Sequence, residues 1–218
     1  ADIAVSASGQ ELTYKYVQFP TAVDRTVTFD VQGHGMAPAS QTVTSGRKAT
    51  EPEAPIAEGY AFGGWYKEAG CTNAWEFDND TVTADTTLYA KWYEPQTKDG
   101  VTFTPWISAT SLPTEAGNYY LVNDVTLNKA WKVQGTTNLD LNGHSIRQTA
   151  SNDNAIFISS SNKAILNLYD YGEGDAGTIT SGGGDNGIAV YMYDSTFNMY
   201  GGAISGNEAS DGAGLYNY

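Results

Sequence analysis

"GIAVYMY", residues 187–193, returns 25 residues later as "GAGLYNY", residues 212–218. Upstream, "DNAIFISSS" at 153–161 aligns with "DNGIAVYMY" at 185–193. A second family of segments comprises "LDLNGHSI" (139–146), "LNLYDYG…TI" (166–179) and "FNMYGGAI" (197–204). Its middle copy holds an insertion of six residues, "YGEGDA". Short strands that recur with such a period are typical of a coiled β-solenoid, in which each coil covers the apolar edge of its neighbour.

The repeat also predicts which side chains face outward. Because side chains alternate along a strand, the residues expected to point inward are Leu141, Leu168, Val190, Met192, Met199 and Leu215. The intervening tyrosines then face outward, and equivalent ones lie about one strand spacing apart, roughly 4.8 Å. The predicted outward pairs are Tyr169 with Tyr200, Tyr191 with Tyr216, and Tyr193 with Tyr218.

Composition limits the fold class and the partners. The chain has 218 residues, of which 40% are hydrophobic and 17% charged, and it is rich in Gly, Thr, Asn, Ser and Tyr. This mixture predicts a mainly β protein. The net charge of −14 repels nucleic-acid phosphates and anionic membrane surfaces, so neither is expected as a partner. No apolar run approaches the ~20 residues that span a bilayer, so we expect no membrane insertion in this segment.

Changes in composition and in the alternation of residues along the chain predict where its domains begin and end. Residues 1–23 contain one alternating stretch, "LTYKYVQF", and are predicted to be an N-terminal strand or leader. Residues 24–93 form a coherent block that opens with the alternating strand "RTVTFDV". The block closes with the strand "TVTADTTLYAKWY", whose Leu88, Ala90 and Trp92 are expected to share one face. The polar stretch "EPQTKDG", residues 94–100, is predicted to be a linker because it contains Pro and Gly. Residues 101–135 precede the repeats, which occupy 136–218.

The first block resembles the internalin-type B-repeat, also called the Listeria–Bacteroides repeat. The matching segments are "TVTFDVQGHG", "KATEPEAPIAEGYAFGGWYKEAGCTNAWEF" and "TVTADTTLYAKW". The resemblance implies a small β-grasp-like module that occurs in strings on bacterial surface proteins and is not enzymatic. The turn "FDVQGHG" departs from the usual "FDxNGG" of the family, which should change the turn and leave the core intact.

The second block resembles the start of a right-handed parallel β-helix of large bacterial surface proteins. "WISATSLPTEAGNYYLVNDVTLNKAWKV" followed by "TTNLDLNGHSI" carries this resemblance. It implies that residues 101–135 are an N-terminal cap and that 136–218 are the coils. The chain stops at "GLYNY", inside a coil, so we expect a truncated solenoid. Because an exposed strand edge is a template for pairing, this coil could associate end to end with a second copy.

The aromatic stretch 58–77 raises the question of a site in the first block. Its aromatic residues, Tyr60, Phe62, Trp65, Tyr66, Trp75 and Phe77, match core positions of the family, and large buried aromatics allow so small a domain to fold. Cys71 has no second cysteine to pair with and is expected to be a buried, inert thiol. His34 and His144 lie beside glycines in turns without metal-ligand spacing, and are expected to be solvated.

Three kinds of ligand chemistry remain for the second block. Polysaccharide lyases and hydrolases need clustered carboxylates, often with a basic residue, yet Asp153 and Asp185 adjoin Asn and look like turn residues. A calcium loop could form at "GEGDAGTITSGGGDNG", although a nonapeptide repeat is not sustained. Outward tyrosines could stack on sugar rings, or could be strand formers that pack on one another.

The prediction is a non-enzymatic, extracellular segment of a bacterial cell-surface protein, without a cofactor or a structural metal. It would act as an adhesive or structural stalk. Its candidate partners are host or cell-wall glycans, or a matrix protein. The candidate ligand-binding residues are Tyr169, Tyr200, Tyr191, Tyr216, Tyr193 and Tyr218. The alternative is the N-terminal part of a polysaccharide-active β-helix whose catalytic coils lie beyond residue 218.

Overall fold

The computed structural model describes residues 3–7, 10–14, 22–210 and 212–218. Nearly all regular structure in these residues is β-strand. Strands β1 (Ile3–Ala7) and β2 (Gln10–Tyr14) form an antiparallel pair. The predicted strand "LTYKYVQF" begins within β2, and its residues 15–19 lie outside the described residues. No helix in the described part of the chain has the length and apolar character needed to cross a membrane.

Four strands form the sheet of the first block. They are β3 (Asp24–Asp30), β4 (Gln41–Thr44), β5 (Ala61–Tyr66) and β6 (Thr86–Tyr93). Their order across the sheet is β4-β3-β6-β5, with a parallel central pair and antiparallel outer pairs. On β6, Leu88 and Ala90 are fully buried, so the alternating pattern of this strand places its apolar face on the core as expected.

The core of this block is aromatic, as the sequence predicts. Of the six aromatic residues expected there, it holds Phe62, Trp65, Trp75 and Phe77. Trp65 is 2% exposed and meets the rings of Phe29 and Phe62 edge-on at 4.8 and 5.3 Å. A register shift between Phe62 and Trp65 explains how residues three apart reach one face. Trp75 and Phe77 pack against the same cluster.

Tyr60 and Tyr66, predicted to be core residues, lie elsewhere. Tyr66 follows Trp65 on β5, so its side chain points to the opposite face, where the Lys91 ammonium lies 5.5 Å from its ring. Tyr60 stacks against His34 with the ring centroids 4.3 Å apart. Both rings therefore cover the outside of the block instead of filling its centre.

The remaining strands build a solenoid. In chain order they are β7 (Gln96–Lys98), β8 (Val101–Trp106), β9 (Gly117–Leu121), β10 (Val125–Leu127), β11 (Trp131–Lys132), β12 (Thr136–Asp140), β13 (Ile146–Gln148), β14 (Ile156–Ser159), β15 (Ile165–Tyr169), β16 (Thr178–Thr180), β17 (Val190–Tyr193), β18 (Thr196–Met199), β19 (Ala203–Ile204) and β20 (Leu215–Asn217). A short 3-10 helix, Ser160–Asn162, follows β14.

These strands stack into three sheets. The first sheet has the order β18-β15-β12-β9-β8-β7, the second β10-β13-β16-β19 and the third β11-β14-β17-β20. Every pairing is parallel except that of β7 with β8. Each coil contributes one strand to each sheet, so β9–β11, β12–β14, β15–β17 and β18–β20 are four successive coils. The predicted mainly β solenoid is confirmed, while its right-handed coiling stays a prediction.

The boundaries of the solenoid differ from the expected ones. The stretch 94–100, predicted to be a linker, contains β7, and 101–135, predicted to be a cap, contains a whole coil, β9–β11. Coils therefore begin at Gly117 and not at residue 136. The shorter segment 107–116 flanks this first coil, where the Thr126 amide donates to the Ala109 carbonyl at 2.8 Å. Alternating apolar residues let β9–β11 stack although their turns do not repeat the later motif.

The register of two repeats is shifted by two residues from the predicted alignment. Leu139, not Leu141, stands beside Leu168, and Phe157 stands beside Tyr191. A shift of two keeps every side chain on its predicted face, and Leu141 is accordingly still fully buried. The alignment of 187–193 with 212–218 is confirmed by the pairing of β17 with β20.

Burial inside the solenoid falls off at the last coil. Leu168 and Val190 are fully buried, but their partners on the next coil, Met199 and Leu215, are 41% and 44% exposed. Both were predicted to point inward, and their exposure follows because no described coil stacks upon them. This coil presents an apolar strand edge to solvent.

A row of asparagines runs along the outside of the first sheet. Asn118, Asn138, Asn167 and Asn198 occupy equivalent positions on β9, β12, β15 and β18. Each side-chain amide donates to the oxygen of the preceding one, at 2.6, 2.7 and 2.8 Å along the row. Asn118, the first member, donates to the Thr102 carbonyl at 3.2 Å. We call this row the asparagine ladder.

Candidate functional site

Aromatic rings stack along the outer face of the third sheet. Phe157, Tyr191 and Tyr216 follow one another on β14, β17 and β20, with centroid distances of 5.6 and 5.3 Å and interplanar angles of 23° and 20°. Beside them, Tyr193 and Tyr218 stack at 5.5 Å and 16°. Tyr193 is 45% and Tyr218 72% exposed. We call these five residues the tyrosine ladder.

The rung spacing of the tyrosine ladder comes from the backbone. Parallel strands lie about 4.8 Å apart, and equivalent side chains of neighbouring coils inherit that separation. The rings are nearly parallel, and their centroid distances lie within the range of about 4.5–7 Å that aromatic pairs favour. The result is a flat aromatic strip whose hydroxyl groups line one side of the solenoid.

The third predicted pair, Tyr169 with Tyr200, lies on the first sheet in different surroundings. The two rings stack at 4.9 Å and 17°, and Tyr171 also stacks on Tyr169 at 5.5 Å. The buried ring of Phe103 meets Tyr169 edge-on at 5.8 Å, and burial raises the pKa of Tyr169. The Tyr171 hydroxyl donates to Asp99 at 2.7 Å, and this hydrogen bond raises the pKa of Tyr171 to about 12. This group therefore anchors the β7–β8 region to the later coils.

The structure thus divides the six candidate residues. It brings Tyr191, Tyr193, Tyr216 and Tyr218 together on one open surface, and it separates Tyr169 and Tyr200 from them. Sequence reasoning missed Phe157 because the repeats were aligned two residues out of register. The signal was present, since Phe157 falls on the outward positions of "IFIS" once Ile156 and Ile158 are placed inward.

The acidic residues of the turns bind backbone amides. Asp153 accepts the amide of its neighbour Asn154 at 2.9 Å, and it also accepts that of Ala130 on the preceding coil at 3.0 Å. Its predicted role as a turn residue is confirmed. Asp185 instead accepts the Ser210 hydroxyl at 3.0 Å. Carboxylates used in this way tie neighbouring coils together.

Asp140 has the same role in a more buried place. It is fully buried at the end of β12, and one carboxylate oxygen accepts the amides of Asn142 and Tyr171, both at 2.9 Å. Burial is the main cause that raises the pKa of this carboxyl, and the nearby Asp170 acts in the same direction. The hydrogen bonds oppose the shift because they favour the charged form.

Cys71 and the two histidines lie in ordinary environments. The Cys71 thiol is half-buried and not fully buried as expected, and it accepts a hydrogen bond from Gln32 at 3.3 Å. Burial raises its pKa, so the thiol stays protonated at neutral pH and is a weak nucleophile. His34 packs against Tyr60. His144 lies 3.5 Å from the Asp124 carboxylate.

Metal ligation is the remaining candidate chemistry, at the acidic stretch where a calcium loop could form. Across residues 22–210 and 212–218, no three His, Cys, Asp or Glu side chains lie together in an arrangement that could hold a metal ion. Of the candidate ligand-binding residues, those of the tyrosine ladder lie together on an open surface.

Comparison with known proteins identifies the first block. A sequence profile of the Listeria-Bacteroides repeat domain matches residues 26–91. These residues contain most of β3, the whole of β4 and β5, and most of β6. The chain thus contains a Listeria–Bacteroides repeat domain followed by a parallel β-solenoid.

Three relatives are similar over part of the chain. A protein described as a Gly-rich membrane protein of Evansella cellulosilytica is 45% identical over 67 residues. A second membrane protein of that organism is 42% identical over 67 residues. Internalin H of Listeria monocytogenes is 34% identical over 113 residues. The matches cover 31%, 31% and 38% of this chain, and 8%, 10% and 20% of the respective relatives. The chain thus spans a small part of their length.

Proposed function

We propose that this chain is a non-enzymatic, extracellular segment of a bacterial cell-surface protein that binds glycans through the tyrosine ladder. The Listeria–Bacteroides repeat domain supports a place in the cell envelope, as do relatives named as membrane proteins and as an internalin. In this proposal the first block is a spacer. The solenoid is the part that meets the ligand.

The observation that carries the proposal is the stacking of Tyr191 on Phe157 and Tyr216, beside the pair Tyr193 and Tyr218. Within the ladder the ring faces cover one another, so the tyrosines offer a sugar their apolar ring edges and their hydroxyl groups along the strip. Repetition at the strand spacing presents the same contact several times, which suits a ligand made of repeated units. A rigid sheet holds the rings in place before binding, so little ordering entropy is lost.

The charge of the chain narrows the class of glycan. A net charge of −14 disfavours long polyanionic polymers, because like charges repel over about a Debye length. The ligand that fits best is a neutral or weakly charged oligosaccharide of a host surface or of a cell wall.

The test is a glycan-binding screen with the full chain and matched double variants. Tyr191→Ala/Tyr216→Ala removes two rings of the ladder, and Tyr191→Phe/Tyr216→Phe keeps the rings but removes the hydroxyls. If each aromatic contact contributes about 0.5–1.5 kcal/mol, the alanine variant loses about 1–3 kcal/mol, or roughly five- to 150-fold in affinity. The phenylalanine variant should lose less.

Tyr169→Ala/Tyr200→Ala is the control, because these two residues also form a stacked pair on the solenoid but on another sheet. It should bind glycans as the wild type does. Equal loss in both alanine variants would show a general effect on folding and refute a site on the third sheet. Binding of a matrix protein in place of glycans, lost in the same variant, would keep the surface and change the ligand. No binding by the folded wild type would refute the adhesive role and leave a stalk.

A further inference from the structure

A cavity of about 400 Å³ lies at the first coil of the solenoid. It is a half-open cleft between the segment that precedes β9 and the stretch that runs from the end of β10 through β11. Buried Leu112, Leu127 and Trp131 provide its apolar walls. The indole N–H of Trp131 donates to the Pro113 carbonyl at 2.6 Å, which fixes the ring. A volume of this size is within the range of small-ligand sites, roughly 300–1,000 Å³.

Two exposed lysines, Lys129 and Lys132, line the same cavity. From residue 101 onward the only other cationic side chains are those of Arg147 and Lys163, in a segment that is rich in Asp and Glu. Among the described residues, neither Lys129 nor Lys132 lies within ion-pairing distance of a carboxylate, and no acidic residue lines the cavity. The cavity is therefore a cationic site on an acidic body, and it favours a ligand that carries a negative charge.

The remaining lining residues are hydrogen-bonding groups. Thr110, Ser111, Thr114, Asn128 and Gln134 contribute hydroxyl and amide side chains. Such groups can both donate and accept hydrogen bonds, which matches the many hydroxyl groups of a sugar. A few polar groups on an otherwise apolar wall are the usual composition of a small-molecule site.

Strand register connects the cavity to the tyrosine ladder. Lys132 on β11 stands directly beside Phe157 on β14, and Phe157 is the first ring of the ladder. The cavity thus lies at the end of the aromatic strip, on the same sheet. A glycan that follows the strip would reach the lysines with its terminal unit.

We propose that this cavity binds a single carboxylate-bearing sugar residue, of the uronic or sialic acid class, at the end of the glycan. The inference rests on the proposed function, because the ladder supplies the rest of the oligosaccharide site. One carboxylate between two lysines is a favourable charge-assisted contact. A long polyanion would meet the acidic remainder of the solenoid, so the cavity selects an acidic end group and not an acidic polymer.

The probes are glucuronic acid and glucose, titrated separately into the full chain and followed by NMR. Lys129→Gln/Lys132→Gln removes the two charges of the cavity. Arg147→Gln/Lys163→Gln removes the other two cationic charges of the solenoid and has the same net charge, so it is the matched control. We expect the wild type and the control to bind glucuronic acid at least tenfold tighter than glucose. The cavity variant should lose this preference, and added salt should weaken it in the wild type.

Two results would overturn the inference. One is equal affinity of the wild type for the two sugars, and the other is an equal loss of preference in the control variant, which would reflect overall charge. Failure of the ladder has a different signature. A neutral oligosaccharide whose binding does not change in Tyr191→Ala/Tyr216→Ala would refute the ladder, whereas the preference for glucuronic acid reports on the cavity alone.

Discussion

Replacing Trp65 by alanine should remove several kcal/mol from the stability of the Listeria–Bacteroides repeat domain. The side chain is 2% exposed, so nearly its whole surface, about 200 Å² for an indole, is removed from water. At about 25 cal/mol per Å² this burial contributes about 5 kcal/mol. The indole N–H has no hydrogen-bond partner among the described residues, and its lost hydration costs about 1–3 kcal/mol. The expected net loss is about 2–4 kcal/mol, which overlaps the range of about 3–5 kcal/mol for large-to-small aromatic changes in other cores.

A loss of this size is a large part of the total free energy of unfolding of so small a domain, because natural domains have about 0.05–0.15 kcal/mol of it per residue. Hydrogen exchange measured by mass spectrometry on the full chain would show it. Peptides from residues 24–93 should exchange at a free energy of opening lower by that amount, while peptides from 117–218 keep their protection. Trp65→Phe removes the unpartnered N–H and keeps an aromatic ring, so its loss should be much smaller. Unchanged protection of 24–93 in Trp65→Ala would refute the assignment of Trp65 to the core.

The remaining predictions concern close packing, pH and association. Gly177→Ala should lower the free energy of unfolding by about 1–3 kcal/mol, because a Cβ there would press against the His144 carbonyl. Thermal unfolding measures this loss, and Gly70→Ala is the control because its Cβ would lie in open space. Glu68 accepts hydrogen bonds from the Thr72 hydroxyl and nearby amides that lower its pKa to about 2. Its stabilisation is therefore present above about pH 4.5 and lost as the pH falls through about 2, so amide exchange in 68–73 should accelerate over that window in the wild type but not in Glu68→Gln. The exposed edge at Met199 and Leu215 should cause self-association in sedimentation velocity, which Met199→Lys suppresses; a wild type that stays monomeric at high concentration would contradict this.

The first block could be predicted from sequence because local patterns determine its main features. Alternation in "RTVTFDV" and "LYAKWY" indicated the two central strands, and Trp65 was expected in the core, where it lies. The faces of Tyr60 and Tyr66 were not predictable in the same way. The face of Tyr66 depends on the register shift between Phe62 and Trp65, which changes the alternation of β5 without any marker other than two glycines. Tyr60 precedes β5 and lies outside its alternation.

In the solenoid, alternation predicted faces better than it predicted register. A two-residue slip preserves which side chains point inward, so the burial of Leu141 and Leu168 was predicted although the alignment of "LDLNGHSI" was wrong. The first coil was missed because β9–β11 lack the Asn- and Gly-rich turns that marked the later repeats. Stacking of apolar residues such as Leu121 and Leu139 in the core is a long-range property that the local sequence does not show.

The candidate site was predicted in part for the same reason. The pairs Tyr191–Tyr216 and Tyr193–Tyr218 stack as expected, because that repeat was aligned correctly. The contacts of Tyr169 and Tyr171 with Phe103 and Asp99 could not be predicted, since they join residues about 70 positions apart in sequence. The cationic cavity likewise depends on how the segment before β9 folds over the first coil.

The asparagine ladder has a mechanical consequence. All of its amides donate in one direction along the axis, from Asn198 towards Asn118, so the bonds form a continuous chain in which each one polarises the next. Every coil that joins such a row strengthens the bonds already made within it. A longer row therefore holds each coil to the next more firmly than the same bond would between two coils alone, by about 10–30% per bond.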